Sequence, residues 1–196
     1  MITHLHSDHY LELGPLVHTA WTAGLKTPLT IWGPPGLQDY WDAFCQSMAA
    51  DIELREVDEG RPPFAGLITI HEIAEGTFHD ADGLSVSAMR TIHPPLVDCF
   101  ALSFRTASRH VVFSGDTAYL PPLVDFARGA DLLIHEAMLK SALEALVARV
   151  GSTDGRLMNH LVSSHTLAEK AAEIAEQAGA AALALNHLIA ADDPGY

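Results

Sequence analysis

The chain has 196 residues, of which 48% are apolar and 18% are charged. This composition is typical of one globular domain with a sizeable core and excludes a disordered chain. The formal net charge of −14 disfavours nucleic acid as a partner, because such a field repels a phosphate backbone. No apolar run reaches transmembrane length, so we expect no membrane association.

The first half of the chain predicts two helices and two short strands. Apolar residues at helical spacing predict a helix over 10–23, and an aromatic stripe predicts another over 37–50. A strand is expected at 29–32, before a Gly-Pro-Pro-Gly turn, and a second at 67–73, inside an acidic stretch dotted with Pro and Gly. The two cysteines, Cys45 and Cys99, have no CxxC spacing and are expected to be buried or half-buried thiols.

The second half predicts a series of strands followed by helices. Strands are expected at 84–92, 100–105, 111–113, 131–134 and 181–185, and helices at 119–128, 140–150 and 166–178. For the last helix, Thr166 and Glu169 are predicted to form a capping box, and Gly179 a C-terminal stop.

Several of these strands end in residues suited to metal binding or acid–base chemistry. His93 follows the first of them, Asp116 follows the strand at 111–113, and His187 follows the last. His135 and Glu136 follow the strand at 131–134. Because α/β proteins build their sites at one edge of a sheet, we expect these side chains to meet.

A denser cluster lies at residues 3–9, which read Thr-His-Leu-His-Ser-Asp-His. Imidazole and carboxylate are ligands for zinc, manganese and iron. His4 and His6 are two residues apart and would point to one side of an extended segment, while Asp8 and His9 follow where the chain turns. One loop would then serve two metal ions. The alternative is a surface histidine cluster or a tag, but a tag lacks the interposed aspartate.

Together these motifs resemble the metallo-β-lactamase superfamily, and within it the ribonuclease Z and arylsulfatase-like branch. The matching segments are residues 3–9, His93, Phe-Ser-Gly-Asp-Thr at 113–117, Leu-Leu-Ile-His-Glu-Ala at 132–137, Ser-His-Thr at 164–166 and Leu-Asn-His-Leu at 185–188. The resemblance implies an α/β chain folded as an αββα four-layer sandwich, with residues 1–196 forming a single domain. The family has further strands before the first motif and a helix and strand after the last. The chain is therefore expected to be an incomplete domain of low stability, with an exposed sheet edge.

The resemblance also implies a binuclear metal centre. It assigns one ion to His4, His6 and His93, the second to Asp8, His9 and His187, and the bridge between them to Asp116. The expected cofactors are two zinc ions, with manganese or iron as alternatives. Two such cations can share a hydroxide, lower its pKa and polarise a phosphoryl, sulfuryl or carbonyl oxygen.

Three residues are candidates for catalysis. Asp8 would bind metal and also orient the hydroxide. His165 would stabilise the transition state or protonate the leaving group, and Glu136 would orient His165. The alternatives are that His165 is a polar residue at a helix start and that Glu136 is a surface or supporting carboxylate. His135 is expected to be structural, and the remaining histidines match no motif: His18, His71, His79, His110 and His160.

These features predict a metal-dependent hydrolase of a small phosphodiester, sulfate ester or related ester. A transfer-RNA 3′ endonuclease is the alternative, but those enzymes carry a protruding arm between the ligands equivalent to His93 and Asp116, and here 22 residues (94–115) separate the two. A diiron reductase on the same fold has Glu where this chain has His6, and an inactive truncated product is a further alternative. We expect a small-molecule substrate rather than nucleic acid, a homodimer and a cytoplasmic location.

Overall fold

The computed structural model describes residues 1–150 and 155–189. The chain divides into two compact units, residues 1–73 and residues 74–196. Each unit combines a sheet with helices and has its own cluster of buried apolar side chains. The prediction of an α/β chain is therefore confirmed.

In residues 1–73, helices surround a parallel pair of strands. The helices are α1 (Ser7–Tyr10), α2 (Leu13–Thr22), α3 (Leu37–Ser47) and α4 (Ala49–Asp58), with a 3₁₀ turn at Ala65–Leu67. The strands are β1 (Leu29–Gly33) and β2 (Ile68–Glu72), paired from Leu29 opposite Ile68 to Gly33 opposite Glu72. The parallel pairing needs a long crossover, and α3 and α4 supply it.

The core of this unit is aromatic. Trp21 of α2, Trp41 of α3 and Phe64 are buried against one another, with ring centroids 5.0 Å apart for Trp21 and Phe64 and 5.5 Å apart for Trp41 and Phe64. The Trp21 indole nitrogen donates to the Pro62 carbonyl oxygen at 3.0 Å, which satisfies its polar atom inside the core. This core anchors α2, the helix that follows the histidine-rich segment.

Residues 74–189 contain one six-stranded sheet whose strand order follows the sequence. Its strands are β3 (Gly76–Ala81), β4 (Leu84–Arg90), β5 (Phe100–Arg105), β6 (His110–Phe113), β7 (Leu132–Met138) and β8 (Leu183–Ile189). β3 to β6 pair antiparallel through short connections, and β6, β7 and β8 pair parallel. The helices α5 (Leu123–Phe126), α6 (Lys140–Val150), α7 (Arg156–Ser164) and α8 (Ala168–Ala178) lie in the two parallel crossovers.

The core of this second unit lies between the sheet and its helices. Ala101, Val112 and Leu133 from the strands are buried against Leu123 of α5 and Ile174 of α8. α8 ends at Gly179, which has a φ of 64° and so takes the left-handed conformation that stops a helix. The predicted stop at Gly179 is confirmed.

Some predicted elements differ from the structure. The helix predicted over 119–128 is one turn, Leu123–Phe126, and the helix predicted over 10–23 is the shorter α2, Leu13–Thr22, preceded by the unpredicted turn of α1. The capping box was wrong: Leu167 caps α8 without a side-chain hydrogen bond, and the Thr166 hydroxyl donates to the Thr117 carbonyl oxygen at 2.7 Å instead. β3, α4 and α7 were not predicted.

The strand predicted at 131–134 in fact continues to Met138, so His135 and Glu136 lie inside β7 rather than after it. Asn186 and His187 likewise lie inside β8. Among the described residues, no helix has the length and apolarity needed to cross a lipid bilayer.

Candidate metal centre

The histidine-rich segment begins extended and ends in one helical turn. His6 has extended backbone angles and precedes α1, which carries Asp8 and His9. The rings of His4 and His6 lie edge to face with centroids 5.0 Å apart, and those of His4 and His9 are 4.0 Å apart. His9 Nε2 is 3.3 Å from Asp8 Oδ2. Within residues 1–73, the four predicted ligands therefore form one cluster.

Asp116 is the centre of a second cluster, within residues 74–189. Its Oδ2 atom lies 3.4 Å from His187 Nε2, 3.9 Å from His93 Nε2 and 4.0 Å from His165 Nδ1. The side chain of Asp116 is buried, with 3% of its surface exposed. A buried carboxylate oxygen that three imidazole rings approach is a geometry expected of a metal-binding carboxylate.

The backbone around Asp116 is held from two sides. The Thr91 hydroxyl donates to the Asp116 carbonyl oxygen at 2.9 Å, and the Ala118 amide donates to the Ile92 carbonyl oxygen at 2.7 Å. The Ser114 amide donates to the Ile134 carbonyl oxygen at 2.9 Å. These bonds fix the loop after β6 against the end of β4 and against β7, which presents the Asp116 carboxylate in one orientation.

His93 has the tautomer and charge that suit a metal ligand. Its Nδ1–H donates to the Ser164 carbonyl oxygen at 2.9 Å, which leaves the Nε2 lone pair directed elsewhere. Burial lowers the pKa of His93 below its ordinary value, so the neutral ring is favoured. Neutral imidazole is the form that binds a metal ion.

His187 reaches the cluster through an irregularity in β8. The register between β7 and β8 shifts after Glu136, which pairs with Asn186, while Ala137 pairs with Leu188. His187 is therefore a bulged residue, and its φ of 43° is in the left-handed region that non-glycine residues rarely adopt. Strain of this kind is characteristic of functional positions, where it redirects a side chain.

Glu136 and His165 form a buried pair beside these residues. Glu136 Oε1 accepts hydrogen bonds from His165 Nδ1, the Thr117 amide and the Thr166 amide, each at 3.1 Å. Burial is the largest cause that raises the pKa of Glu136 to about 8, and the charge of Asp116 adds to it, while the Thr117 amide lowers it. His165, Glu136 and His187 offer ligand atoms within 4.8 Å of one another, as do His93, Asp116 and His165.

Two neighbouring histidines have different environments. His135 is buried, donates from Nδ1 to the Glu136 carbonyl oxygen at 2.7 Å, and joins none of the candidate metal groups in the described part of the chain. His160 of α7 lies beside the site, its ring centroid 6.4 Å from that of His93. His160 matched no motif in the sequence. Ser164 follows four residues later on the same helical face, and its hydroxyl oxygen lies 3.4 Å from His160 Nδ1.

The comparisons with known proteins identify the family to which the chain belongs. The sequence profile of the Beta-lactamase superfamily domain matches residues 1–188. Ribonuclease Z from Mycobacterium sp. (strain KMS) is 33% identical over 200 residues, which include all of this chain and 67% of that protein. Ribonuclease Z from Mycobacterium bovis (strain BCG / Pasteur 1173P2) is 30% identical over 201 residues, which include all of this chain and 68% of that protein.

Solved structures give the same fold. The metallo-β-lactamase fold protein YhfI from Bacillus subtilis has a TM-score of 0.61 and 25% identity, with 95% of this chain and 62% of that chain covered. The short form of human tRNase Z has a TM-score of 0.65 and 23% identity, with 95% of this chain and 70% of that chain covered. The predicted family and its fold are thereby confirmed. The chain belongs to the beta-lactamase superfamily and is a hydrolase of the metallo-β-lactamase fold.

Proposed function

We propose that this protein hydrolyses phosphodiester bonds in RNA at a binuclear metal site and processes the 3′ ends of transfer-RNA precursors. The observation that carries the proposal is Asp116 Oδ2, which three histidine rings approach within 4.0 Å. Relatives named ribonuclease Z, aligned over the whole chain, supply the substrate class.

The residues fit a pair of divalent ions by their chemistry. The proposed ligands are neutral imidazoles and carboxylates, which zinc accepts, and metal binding is typical of this fold. We assign them as the sequence resemblance does: His4, His6 and His93 for one ion, Asp8, His9 and His187 for the other, and Asp116 for both. Ions at such a site supply Lewis acidity, which brings the pKa of water close to neutrality and offsets charge on phosphoryl oxygens.

His165 and Glu136 are proposed to handle the proton of the leaving group. Because His165 donates its Nδ1 hydrogen to Glu136 Oε1, its Nε2 atom is the one that would carry a proton to the departing 3′ oxygen. The Thr117 and Thr166 amides hold Glu136 Oε1 in place, so the imidazole ring is oriented before the substrate arrives. Asp8 is proposed to orient the attacking water as well as to bind metal.

The missing arm no longer argues against an RNA substrate. β5 and β6 are joined by a short turn over residues 106–109, so the interval between His93 and Asp116 holds no protruding arm. However, the Mycobacterium sp. relative aligns over 200 positions with the 196 residues of this chain. It therefore has no room for an arm in this interval either, and yet it is named ribonuclease Z.

A small phosphodiester or sulfate ester is the second candidate. The observation that favours it is the net charge of −14, which weakens the attraction of a polyanion at long range. The two candidates differ in the size of the substrate and share the same metal site.

Activity on three substrates separates the candidates. The purified protein would be analysed for metal content and then assayed on a transfer-RNA precursor with a 3′ extension, on bis-p-nitrophenyl phosphate and on p-nitrophenyl sulfate. We expect about two zinc ions per chain and cleavage of the precursor at its 3′ end. Cleavage of a small ester alone would favour the second candidate, and absence of both metal and turnover would refute the metal-hydrolase proposal.

Carboxylate variants provide the internal control. Asp8→Ala and Asp116→Ala are expected to lower kcat by about three orders of magnitude, because each removes a proposed ligand. Asp80→Ala removes an exposed carboxylate on β3 and is expected to retain wild-type activity. Equal activities in the three variants would contradict the assignment of the site.

A further inference from the structure

A cavity of about 390 Å³ opens beside His165, and its lining residues all belong to residues 74–189. It is formed by the segment after Asp116, the end of β7, and helices α7 and α8. The volume lies in the range of small-ligand sites. Since His165 lines this cavity and also bonds to Glu136, a group bound here would lie next to the proposed proton donor.

Basic side chains are few in this chain, and some of them line this cavity. The sequence contains three lysines, and two of them, Lys140 and Lys170, line this cavity. Lys140 lies at the start of α6 and Lys170 in the first turn of α8. Each of these lysines also lies near a glutamate, Glu144 for Lys140 and Glu173 for Lys170, so what they offer to an anion is ammonium donors rather than a net positive field.

Both ammonium groups keep capacity for a ligand. Lys170 Nζ donates to Glu173 Oε2 at 2.6 Å, but an ammonium group has three donors. Lys140 Nζ is 3.9 Å from Glu144 Oε1, and both side chains are more than half exposed, so this ion pair is weak. A phosphate that approached the cavity would meet donors from two helices.

Tyr119 is fixed in the same wall. Its hydroxyl donates to Glu173 Oε1 at 2.9 Å, and Lys170 Nζ lies 5.1 Å from the centre of its ring. Glu173 thereby holds an aromatic ring and a cation in place together, so neither has to be ordered when a ligand binds. Met138 and Leu167 complete an apolar surface beside them.

From this combination we infer that the cavity beside His165 binds one nucleotide of an RNA substrate. The phosphate lies near Lys140 and Lys170, and the base lies against the apolar wall of Met138 and Leu167, next to the edge of the Tyr119 ring. Lysine for phosphate and an apolar or aromatic surface for a base are the two elements of single-strand recognition. The inference rests on the proposed function for the identity of the polymer, while the cavity's affinity for a nucleotide can be measured separately.

Equilibrium dialysis of the metal-loaded protein against adenosine 5′-monophosphate tests the site directly. This probe has no phosphodiester bond to cleave, and inorganic phosphate serves as the reference ligand. Lys170→Gln, Lys140→Gln and Tyr119→Ala are each expected to raise the Kd for the nucleotide about tenfold, the effect of losing one charge-assisted hydrogen bond or one aromatic contact. The Kd for inorganic phosphate should rise similarly in the two lysine variants but stay unchanged in Tyr119→Ala, because that ligand has a phosphate and no base.

The third lysine provides the control for net charge. Lys26→Gln makes the same change of charge in residues 1–73 and is expected to leave the Kd for the nucleotide unchanged. Lys170→Arg keeps the cation and is expected to restore binding. The inference is overturned if Lys140→Gln and Lys170→Gln change the Kd for the nucleotide no more than Lys26→Gln does.

Kinetics separate this inference from the proposed function. Lys170→Gln is expected to raise KM for a transfer-RNA precursor several-fold, whereas the control Lys26→Gln should leave that KM and the hydrolysis of bis-p-nitrophenyl phosphate unchanged. Nucleotide binding that depends on the lysines, in a protein that cleaves no RNA, would uphold the cavity and refute the proposed function. RNA cleavage by a protein whose nucleotide binding does not depend on the lysines would support the proposed function and refute the inference about the cavity.

Discussion

Glu136 illustrates how burial and hydrogen bonding compete at a single residue. Burial raises its pKa to about 8, whereas the Thr117 and Thr166 amides stabilise its charged form. The carboxylate is retained inside the protein because His165 donates to it at 3.1 Å. A change at Glu136 therefore alters the hydrogen bond that orients the His165 ring.

Replacing the Glu136 carboxylate should impair catalysis without removing metal. In Glu136→Gln the amide oxygen can still accept from the backbone, but the changed side chain no longer offers His165 Nδ1 the same acceptor, so the ring is oriented less firmly. We expect kcat on a phosphodiester to fall about 100-fold, with the zinc content unchanged by elemental analysis. Glu72→Gln, an exposed change at the end of β2, should have wild-type kcat. Loss of zinc in Glu136→Gln would mean that Glu136 is itself a ligand.

The two cysteines should differ in reactivity. Cys99 is fully buried, and burial with the nearby Asp116 charge raises its pKa to about 12, while Cys45 is half-buried. Since the thiolate is the reactive form, iodoacetamide at pH 8 should modify Cys45 at least about ten times faster than Cys99. Mass spectrometry of the digested protein gives both rates, and unfolding the protein should make them equal. Rapid native modification of Cys99 would show that its segment opens.

The raised pKa of Cys99 also predicts a loss of stability in alkali. The folded state holds the thiol proton more tightly than the unfolded state, whose pKa is 9.0. The contribution of Cys99 is therefore fully present below pH 9 and decreases as the pH rises towards 12, by about 1.4 kcal/mol per pH unit. Denaturant unfolding of wild type and Cys99→Ala at pH 8 and 10 measures the difference. Parallel pH dependence in the two proteins would contradict it.

At the scale of elements, strands could be predicted from the sequence more accurately than the bulges and helix caps that position side chains. The strand at 100–105 was predicted with its observed limits because Phe100, Leu102 and Phe104 alternate with their neighbours. The bulge at His187 left no pattern, since it depends on how β8 pairs with β7. Thr166 and Glu169 fit a capping box, but the Thr166 hydroxyl bonds to Thr117, a partner 49 residues away.

The helices that were not predicted have separate physical reasons. α7 contains Asn159, His160 and two serines, which are weak helix formers, so its sequence gave little signal. α4 was assigned to an acidic connection, yet its charges stabilise it: Arg55 pairs with Asp51 at 2.8 Å and with Glu59 at 3.0 Å, each four residues away. The candidate site residues could be predicted because they are rare residue types that stand in motifs. Their hydrogen-bond partners could not be predicted in this way, because they are common residue types.

The contact between α2 and α3 depends on a glycine. A Cβ atom at Gly14 would lie 2.4 Å from Cδ2 of Phe44, and the Gly14 amide donates to the Tyr40 hydroxyl at 3.1 Å. Alanine favours a helix by about 1 kcal/mol, but the overlap costs about 1–3 kcal/mol. Gly14→Ala should therefore lower the thermal midpoint by a few degrees.

Gly66→Ala is the appropriate comparison for Gly14→Ala. Gly66 lies in the 3₁₀ turn at Ala65–Leu67, and an added Cβ there meets no described atom within 4 Å. The thermal midpoint of Gly66→Ala, measured by circular dichroism, should equal that of the wild type or exceed it slightly. A midpoint for Gly14→Ala at or above that of Gly66→Ala would show that Phe44 moves aside freely.

At the scale of the whole molecule, the proposed ligands are divided between residues 1–73 and 74–196, which have separate cores. Zinc that binds the folded chain should stabilise it by about 2.7 kcal/mol at one hundred times its Kd. For a chain of this size, the thermal midpoint should rise by about 5–10 °C on addition of zinc and fall again with a chelator.

Variants from both parts of the chain test whether one metal centre uses both. His6→Ala and His187→Ala each remove one proposed ligand, so each should reduce the zinc-induced rise in the thermal midpoint, while His71→Ala removes an exposed histidine of β2 and should retain it. Differential scanning calorimetry with and without zinc measures the rise. If only one of the two ligand variants lost the response, the ions would be held by one part of the chain, and the assignment of seven ligands to a shared centre would be wrong.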